Sequence, residues 1–205
     1  MTTMWCHKNV TDNFSHEPPA GPTEPFGTPQ CFTRIRAAEI IEVSFHVLTM
    51  NPVTSHTAEK LMCALEICMR VHRDDRDRRG MPFVFHSIRV MNRQQTMERK
   101  IIALLHDTVE SHPESVSLAE LESLFGESIC ASVQALTCQP GEAWDGYIER
   151  LLTDEDAAMV KLADLEDNMD PRRMDEKAAK KTYDKYFAAH SRICDTYSIY
   201  PYLRV

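Results

Sequence analysis

Along most of the chain, apolar residues recur at the three- and four-residue intervals of a helix, and nowhere do they alternate over a useful length. Ile40, Ile41, Val43, Phe45, Val47 and Leu48 set a first helix that ends near Asn51-Pro52. Thr54 or Ser55 can cap a second, running through Leu61, Leu65, Cys68 and Met69 to about Arg73. After the charged loop Asp74 to Pro82, a short helix is expected from Phe83 to about Asn92, and another from about Thr96 to Glu110. Ser117 and Glu120 have the spacing of a capping box, and Gly126 closes the helix they open. Ile129, Val133 and Leu136 mark the next helix, and Trp144, Tyr147, Ile148 and Leu151 the one after. Thr153 to about Asn168 forms another, and a long final helix starts near Asp175. The expected fold is all-α, a bundle of about nine helices.

Residues 1–34 differ. Pro18, Pro19, Pro22, Pro25 and Pro29, with Gly21 and Gly27, interrupt every period, so this stretch reads as a flexible tail before a domain spanning 35–205. Cys6, His7 and His16 lie within it without zinc-type spacing, and read as scattered polar residues.

Composition sharpens the fold class. Six glycines in 205 residues is about half the usual share of roughly 7%, and hairpins and phosphate-cradling loops both consume glycine. No GxGxxG or GxxxxGK[ST] occurs, which excludes a Rossmann or P-loop nucleotide site. The net charge of −8 argues against a nucleic-acid partner, which needs a Lys/Arg surplus. The longest apolar runs, such as Ile101 to Leu105, are too short for a membrane span, and Met1 to Val10 lacks the apolar core of a signal peptide. Seven cysteines with no CxxC pair suggest reduced, mostly buried thiols, and hence a cytoplasmic protein.

Three places carry candidate chemistry. In Leu104-Leu105-His106-Asp107-Thr108-Val109-Glu110, the apolar lead-in says the helix is buried. Neighbours on a helix point about 100° apart, yet His106 and Asp107 can converge on one ion at the helix edge. Glu110, four residues after His106, overhangs the same spot. Burying all three is costly unless a cation or hydrogen bonds compensate them, and a His-Asp pair on its own reads more readily as structural. His86, beside Phe85, Ile88 and Val90, reads as a core histidine or a ligand. Asp164 stands among Val160, Leu162, Ala163 and Leu165 and needs a partner, with Asn168 one turn later on its face.

The order His86, His106-Asp107, Asp164 resembles the HD-domain metal-dependent phosphohydrolases. His72, the loop to Arg79-Gly80-Met81-Pro82-Phe83, His86 and Val90 resemble the H-x-G-Q-x-R-K-x-G-x-P-Y-x-x-H stretch of the stringent-response (p)ppGpp 3′-pyrophosphohydrolases. Leu104 to Glu110 and Val160-Lys161-Leu162-Ala163-Asp164-Leu165-Glu166-Asp167-Asn168-Met169 resemble that family's other two signatures, so the likeness covers roughly residues 58 to 172. It implies that His86, His106, Asp107 and Asp164 hold one divalent cation, with Mn²⁺ expected. It also implies that Glu110 handles the attacking water, with Ser111 as a weaker helper, and that Arg78 and Asn168 contact a nucleotide. Arg79 belongs to an arginine-rich loop that can gather phosphates or pair with its own aspartates, and Lys161 reads either as a phosphate ligand or as a surface lysine. His112 and His190 have no supporting pattern and read as structural or exposed.

The departures bear on substrate. Ser111 stands where the family has an aspartate after Glu110, Asp77 replaces the first residue of the family's basic pair, and Asp74-Asp75 replaces its G-Q. Weakened or altered purine selectivity is therefore expected, with Asp77→Arg improving affinity for ppGpp. The implied function is a small phosphohydrolase acting on the 3′-pyrophosphate of (p)ppGpp-like alarmones. The alternatives are an HD-type nucleotidase on nucleoside monophosphates, or a nucleotide-binding HD module without turnover.

Overall fold

The computed structural model describes residues 55–77, 79–172 and 179–199. The expected tail, the expected first helix and Arg78 lie outside the described residues. Nine helices are described: α1 (Ser55–Val71), α2 (Val84–Asn92), α3 (Met97–Leu105), α4 (Thr108–Ser111), α5 (Leu118–Phe125), α6 (Glu127–Leu136), α7 (Trp144–Leu151), α8 (Glu155–Asn168) and α9 (Ala179–Thr196). The described residues hold no strand, only an isolated antiparallel bridge between Arg76 and Pro82. No described helix is long and apolar enough to cross a membrane.

Two helices form the centre. In α3 the run Ile101 to Leu105 is buried on every side, and α1, α2, α6 and α8 all pack against it. In α8 the residues Ala157, Ala158, Val160, Leu162, Ala163 and Leu165 are likewise buried, between α2, α3, α6 and α9. Burial of each such leucine or isoleucine contributes about 1.5–3 kcal/mol. Hence the polar groups on these two helices are held by the most deeply buried of the described segments.

The ends follow local chemistry. Thr96 Oγ1 accepts from the Arg99 amide at 3.2 Å to open α3, and Asp154 Oδ1 accepts from the Ala157 amide at 2.9 Å to open α8. The α8 cap is thus Asp154, one residue beyond the expected Thr153 start. Ser117 Oγ accepts from the Glu120 amide at 3.2 Å, the N-cap half of the expected capping box. The Glu120 carboxylate instead receives Arg70 Nη2 at 3.4 Å. Gly126 at φ +95° closes α5, as expected, and turns the chain directly into α6.

The largest departure from expectation is functional. The helix foreseen from Thr96 to Glu110 breaks after Leu105, and α4 begins anew at Thr108. Asp107 takes φ −103°, ψ −4° at the junction, and Thr108 Oγ1 donates to the Leu105 carbonyl at 2.7 Å. Cys63, Cys68, Cys130 and Cys194 are thiols outside any disulfide, as expected, whereas Cys138 is disulfide-bonded.

Candidate metal centre and active site

The break after Leu105 resolves the awkwardness of adjacent ligands on a helix. His106 is still helical and fully buried, whereas Asp107 has stepped off the helical path. Their side chains therefore meet, with His106 Nε2 3.0 Å from Asp107 Oδ2. Packing of α2 on α8 brings the other two candidates to the same point. His86 Nε2 lies 3.1 Å from Asp164 Oδ1 and 3.8 Å from Asp107 Oδ2, and His106 Nε2 lies 3.9 Å from Asp164 Oδ1. His86, His106 and Asp164 are buried, and the Asp107 side chain is only 14% exposed.

The tautomers decide what this cluster can do. His86 Nδ1 faces Asp167 Oδ2 at 2.7 Å, and His106 Nδ1 faces the Ala103 carbonyl at 2.8 Å. A carbonyl only accepts, so His106 carries its proton on Nδ1, and the carboxylate fixes His86 the same way. In the neutral rings each Nε2 lone pair then faces carboxylate oxygens, so that a proton or a metal cation must lie between them. His106 Nε2 is a buried atom without a hydrogen bond, whereas Asp164 Oδ2 is met by Lys161 Nζ at 2.8 Å. A six-coordinate ion with ligands at about 2.1 Å has neighbouring donor atoms about 3.0 Å apart and opposite ones about 4.2 Å. The four separations fall within that span, and the ligand atoms of His86, His106 and Asp164 all lie within 4.8 Å of one another, so these three fit a divalent cation, with Asp107 beside the two imidazoles.

Charge agrees. Asp107, Glu110, Asp164 and Asp167 face the fixed cations of Lys161 and Arg89, an excess of two negative charges. Burial disfavours the His86 imidazolium, yet hydrogen bonds to Asp164 and Asp167 outweigh it and push its proton affinity up to about 10. Burial acts on His106 in the same sense, and Asp107 overrides it, raising its affinity too. Such a site draws in whatever positive charge is offered. Burial alone would raise the Asp164 carboxyl, but Lys161 and the two imidazoles hold it well below the usual carboxylate range.

The remaining candidates are placed as follows. Glu110, on α4, is partly buried, and its Oε2 accepts from the Cys138 amide at 2.9 Å. Burial and then the Asp107 charge raise its carboxyl above the ordinary range, against the pull of the Cys138 hydrogen bond and Lys161. Ser111 is exposed at the end of α4. Lys161 is buried, which removes the surface-lysine alternative. Its Nζ lies 2.8 Å from Asp164 Oδ2, and 5.8 and 5.5 Å from the Trp144 and Tyr147 ring centroids. Asn168 Nδ2 donates to Asp164 Oδ1 at 2.6 Å. Arg79 is exposed in the turn after Asp77.

Asp77 has a task the sequence did not suggest. Its Oδ1 accepts from the Arg79 and Met81 amides at 2.9 and 3.0 Å, and its carbonyl accepts from Gly80, which sits at φ +76°. The carboxylate therefore organises the turn, so the expected gain from Asp77→Arg is set against the loss of two hydrogen bonds to backbone.

Sequence reading missed Asp167 and Arg89. Arg89 Nε and Nη2 donate to the two Asp167 oxygens at 2.8 and 3.2 Å, and Asp167 passes that charge to His86. A carboxylate behind a ligand imidazole fixes its tautomer and raises its basicity. The available signal was spacing, since Asp167 follows Asp164 by three residues on a helix already assigned to the core.

No protein-family model matches the chain, and no match is found among curated proteins. Solved structures do match. One, described as a metazoan ortholog of SpoT that hydrolyzes ppGpp and plays a role in starvation responses, aligns at TM-score 0.55 and 28% identity, covering 67% of this chain and 84% of that one. With its strandless described helices and its His and Asp residues gathered at one point, the chain has the all-helical HD-domain hydrolase fold and resembles the ppGpp hydrolases among them.

Proposed function

We propose that the chain is a metal-dependent phosphohydrolase that removes the 3′-pyrophosphate of a (p)ppGpp-like alarmone. The observation that carries the first half is the convergence of His86 Nε2 and His106 Nε2 on the Asp107 and Asp164 carboxylates within 3.0–3.9 Å. In this reading His86, His106, Asp107 and Asp164 hold one divalent ion of the Mn²⁺ type. Such an ion supplies a water of lowered pKa and polarises a phosphoryl oxygen. Glu110 takes the proton from that water, a role suited to a partly buried carboxylate with raised proton affinity. Ser111, next along α4, lends a weaker hydrogen bond. Lys161 holds Asp164 in its ionised form and adds positive potential where a phosphate would lie, while Asn168 both steadies Asp164 and borders the nucleotide. Arg78 and Arg79 supply cations from the loop.

The substrate half rests on the resemblance of the three signatures and on the solved neighbour that hydrolyzes ppGpp. Its test is chromatography of products from the Mn²⁺-loaded protein incubated with ppGpp, pppGpp, ppApp and nucleoside monophosphates. Hydrolysis of ppGpp to GDP and pyrophosphate is expected. Orthophosphate release from nucleoside monophosphates alone would favour the nucleotidase, and nucleotide binding without turnover would favour the binding module.

A further inference from the structure

A second cluster of ligating side chains lies outside that site. His72 follows the last residue of α1, Asp75 sits in the next loop, and His112 follows α4. Asp75 Oδ2 is 2.8 Å from His72 Nδ1 and 2.8 Å from His112 Nε2, and one ligand atom from each residue lies within 4.8 Å of the others. The Phe83 ring stands between this cluster and the first site, 4.8 Å from His72 and 5.2 Å from His86, centroid to centroid.

We propose that His72, Asp75 and His112 form a separate site for a borderline divalent ion of the Zn²⁺ class. Two imidazole nitrogens and one carboxylate are a donor set suited to such ions, with water completing the shell. The argument rests on His112. Its Nδ1 lies 3.1 Å from Glu114 Oε1 while its Nε2 faces Asp75. Without an ion, Nε2 of His112 and Nδ1 of His72 share the one acceptor Asp75 Oδ2 through protons; an ion would take the place of those protons between the three residues, with the Nδ1 proton of His112 left on Glu114. Glu114 thereby stands to His112 as Asp167 stands to His86, a carboxylate orienting a ligand imidazole.

The cluster is also built to receive an ion. The His72 side chain has no exposure, while those of Asp75 and His112 are about 30% exposed, so one side opens to water. The Asp75 backbone is fixed at both ends, its amide donating to the His72 carbonyl at 3.3 Å and its carbonyl accepting from Phe83 at 3.0 Å. An ion here would tie the loop carrying Asp77 and Arg79 to the end of α4, two residues from Glu110. The inference does not depend on the reaction proposed above.

The test is metal stoichiometry. Metal-depleted wild type, Asp75→Asn, His112→Gln and His106→Ala are titrated with Zn²⁺ and Co²⁺ by equilibrium dialysis, with Co²⁺ spectra recorded. The wild type is expected to take up two equivalents and each variant one, with the Co²⁺ bands that survive in His106→Ala being those lost from Asp75→Asn. Retention of one equivalent in the isosteric Asp75→Asn reports an intact fold. Uptake of a single equivalent that Asp75→Asn keeps and His106→Ala loses would overturn the proposal and leave His112 as a protonated partner of two carboxylates. A second equivalent weakened less than ten-fold in both Asp75→Asn and His112→Gln would also overturn it. So would loss of both equivalents in Asp75→Asn, since the cluster would then not be a separate site.

Discussion

Replacing Asp167 with asparagine probes the geometry behind His86 without touching any candidate ligand. The carboxylate is 2% exposed, receives His86 Nδ1 at 2.7 Å, and is gripped by Arg89 at 2.8 and 3.2 Å. Asparagine keeps the shape and removes the charge. Its amide oxygen can still accept one hydrogen bond, but Nε2 of His86 becomes a poorer donor to a cation, and the Arg89 guanidinium loses its counter-ion. Loss of such an outer carboxylate typically lowers metal affinity 10- to 100-fold, which is about 1.4–2.7 kcal/mol. The Arg89 side chain is 39% exposed, so water replaces part of what it loses and its share of the effect is small. The assay is Mn²⁺ binding by calorimetry or competition, with far-ultraviolet circular dichroism as the control for folding. A folded Asp167→Asn protein that binds Mn²⁺ as tightly as wild type would refute the assignment of His86 as a carboxylate-tuned ligand.

Three other outcomes are expected. Glu110→Gln should keep Mn²⁺ affinity while kcat falls by roughly 10²-fold or more, and full activity in that variant would remove Glu110 from the reaction. Because burial and Asp107 raise the Glu110 carboxyl, its base form is lost as pH falls through a value above the ordinary glutamate range. The acid limb of kcat/KM should therefore lie above that range, and a limb at the value of an unperturbed glutamate would contradict it. Leu105→Ala removes a fully buried side chain beside His106 and should cost about 2–5 kcal/mol in urea unfolding of the metal-free protein; a cost below about 1 kcal/mol would show that α3 is not the packed centre.

Much of the site was legible because the chemistry conflicts with its surroundings. Asp164 among Val160, Leu162, Ala163 and Leu165 has no reason to be there unless it binds something, and the same holds for His106 after Ile101 to Leu105. The helix break at Asp107 was not legible. Val109 and the apolar lead-in continue the helical period, and what interrupts it is a side-chain bond from Thr108 to the Leu105 carbonyl together with the demand that Asp107 reach His106 Nε2. Asp167 escaped notice since Glu166-Asp167-Asn168 reads as a polar helix end, and only the packing of α2 on α8 brings Arg89 and His86 against it. Lys161 was open between surface and site for a related reason. A single lysine at helical spacing looks solvated until Trp144 and Tyr147 close over it. His112 offered no periodic or motif signal, and its contact with Asp75 spans 37 residues of chain.

The most direct test of the central claim is pyrophosphate release from ppGpp by metal-depleted protein to which Mn²⁺ is returned in steps. No turnover is expected without metal, and turnover yielding GDP and pyrophosphate should rise with occupancy of the His86, His106, Asp107 and Asp164 site and be absent at every Mn²⁺ concentration in His106→Ala. Hydrolysis that persists in chelator, or that survives the His106 substitution, would contradict it.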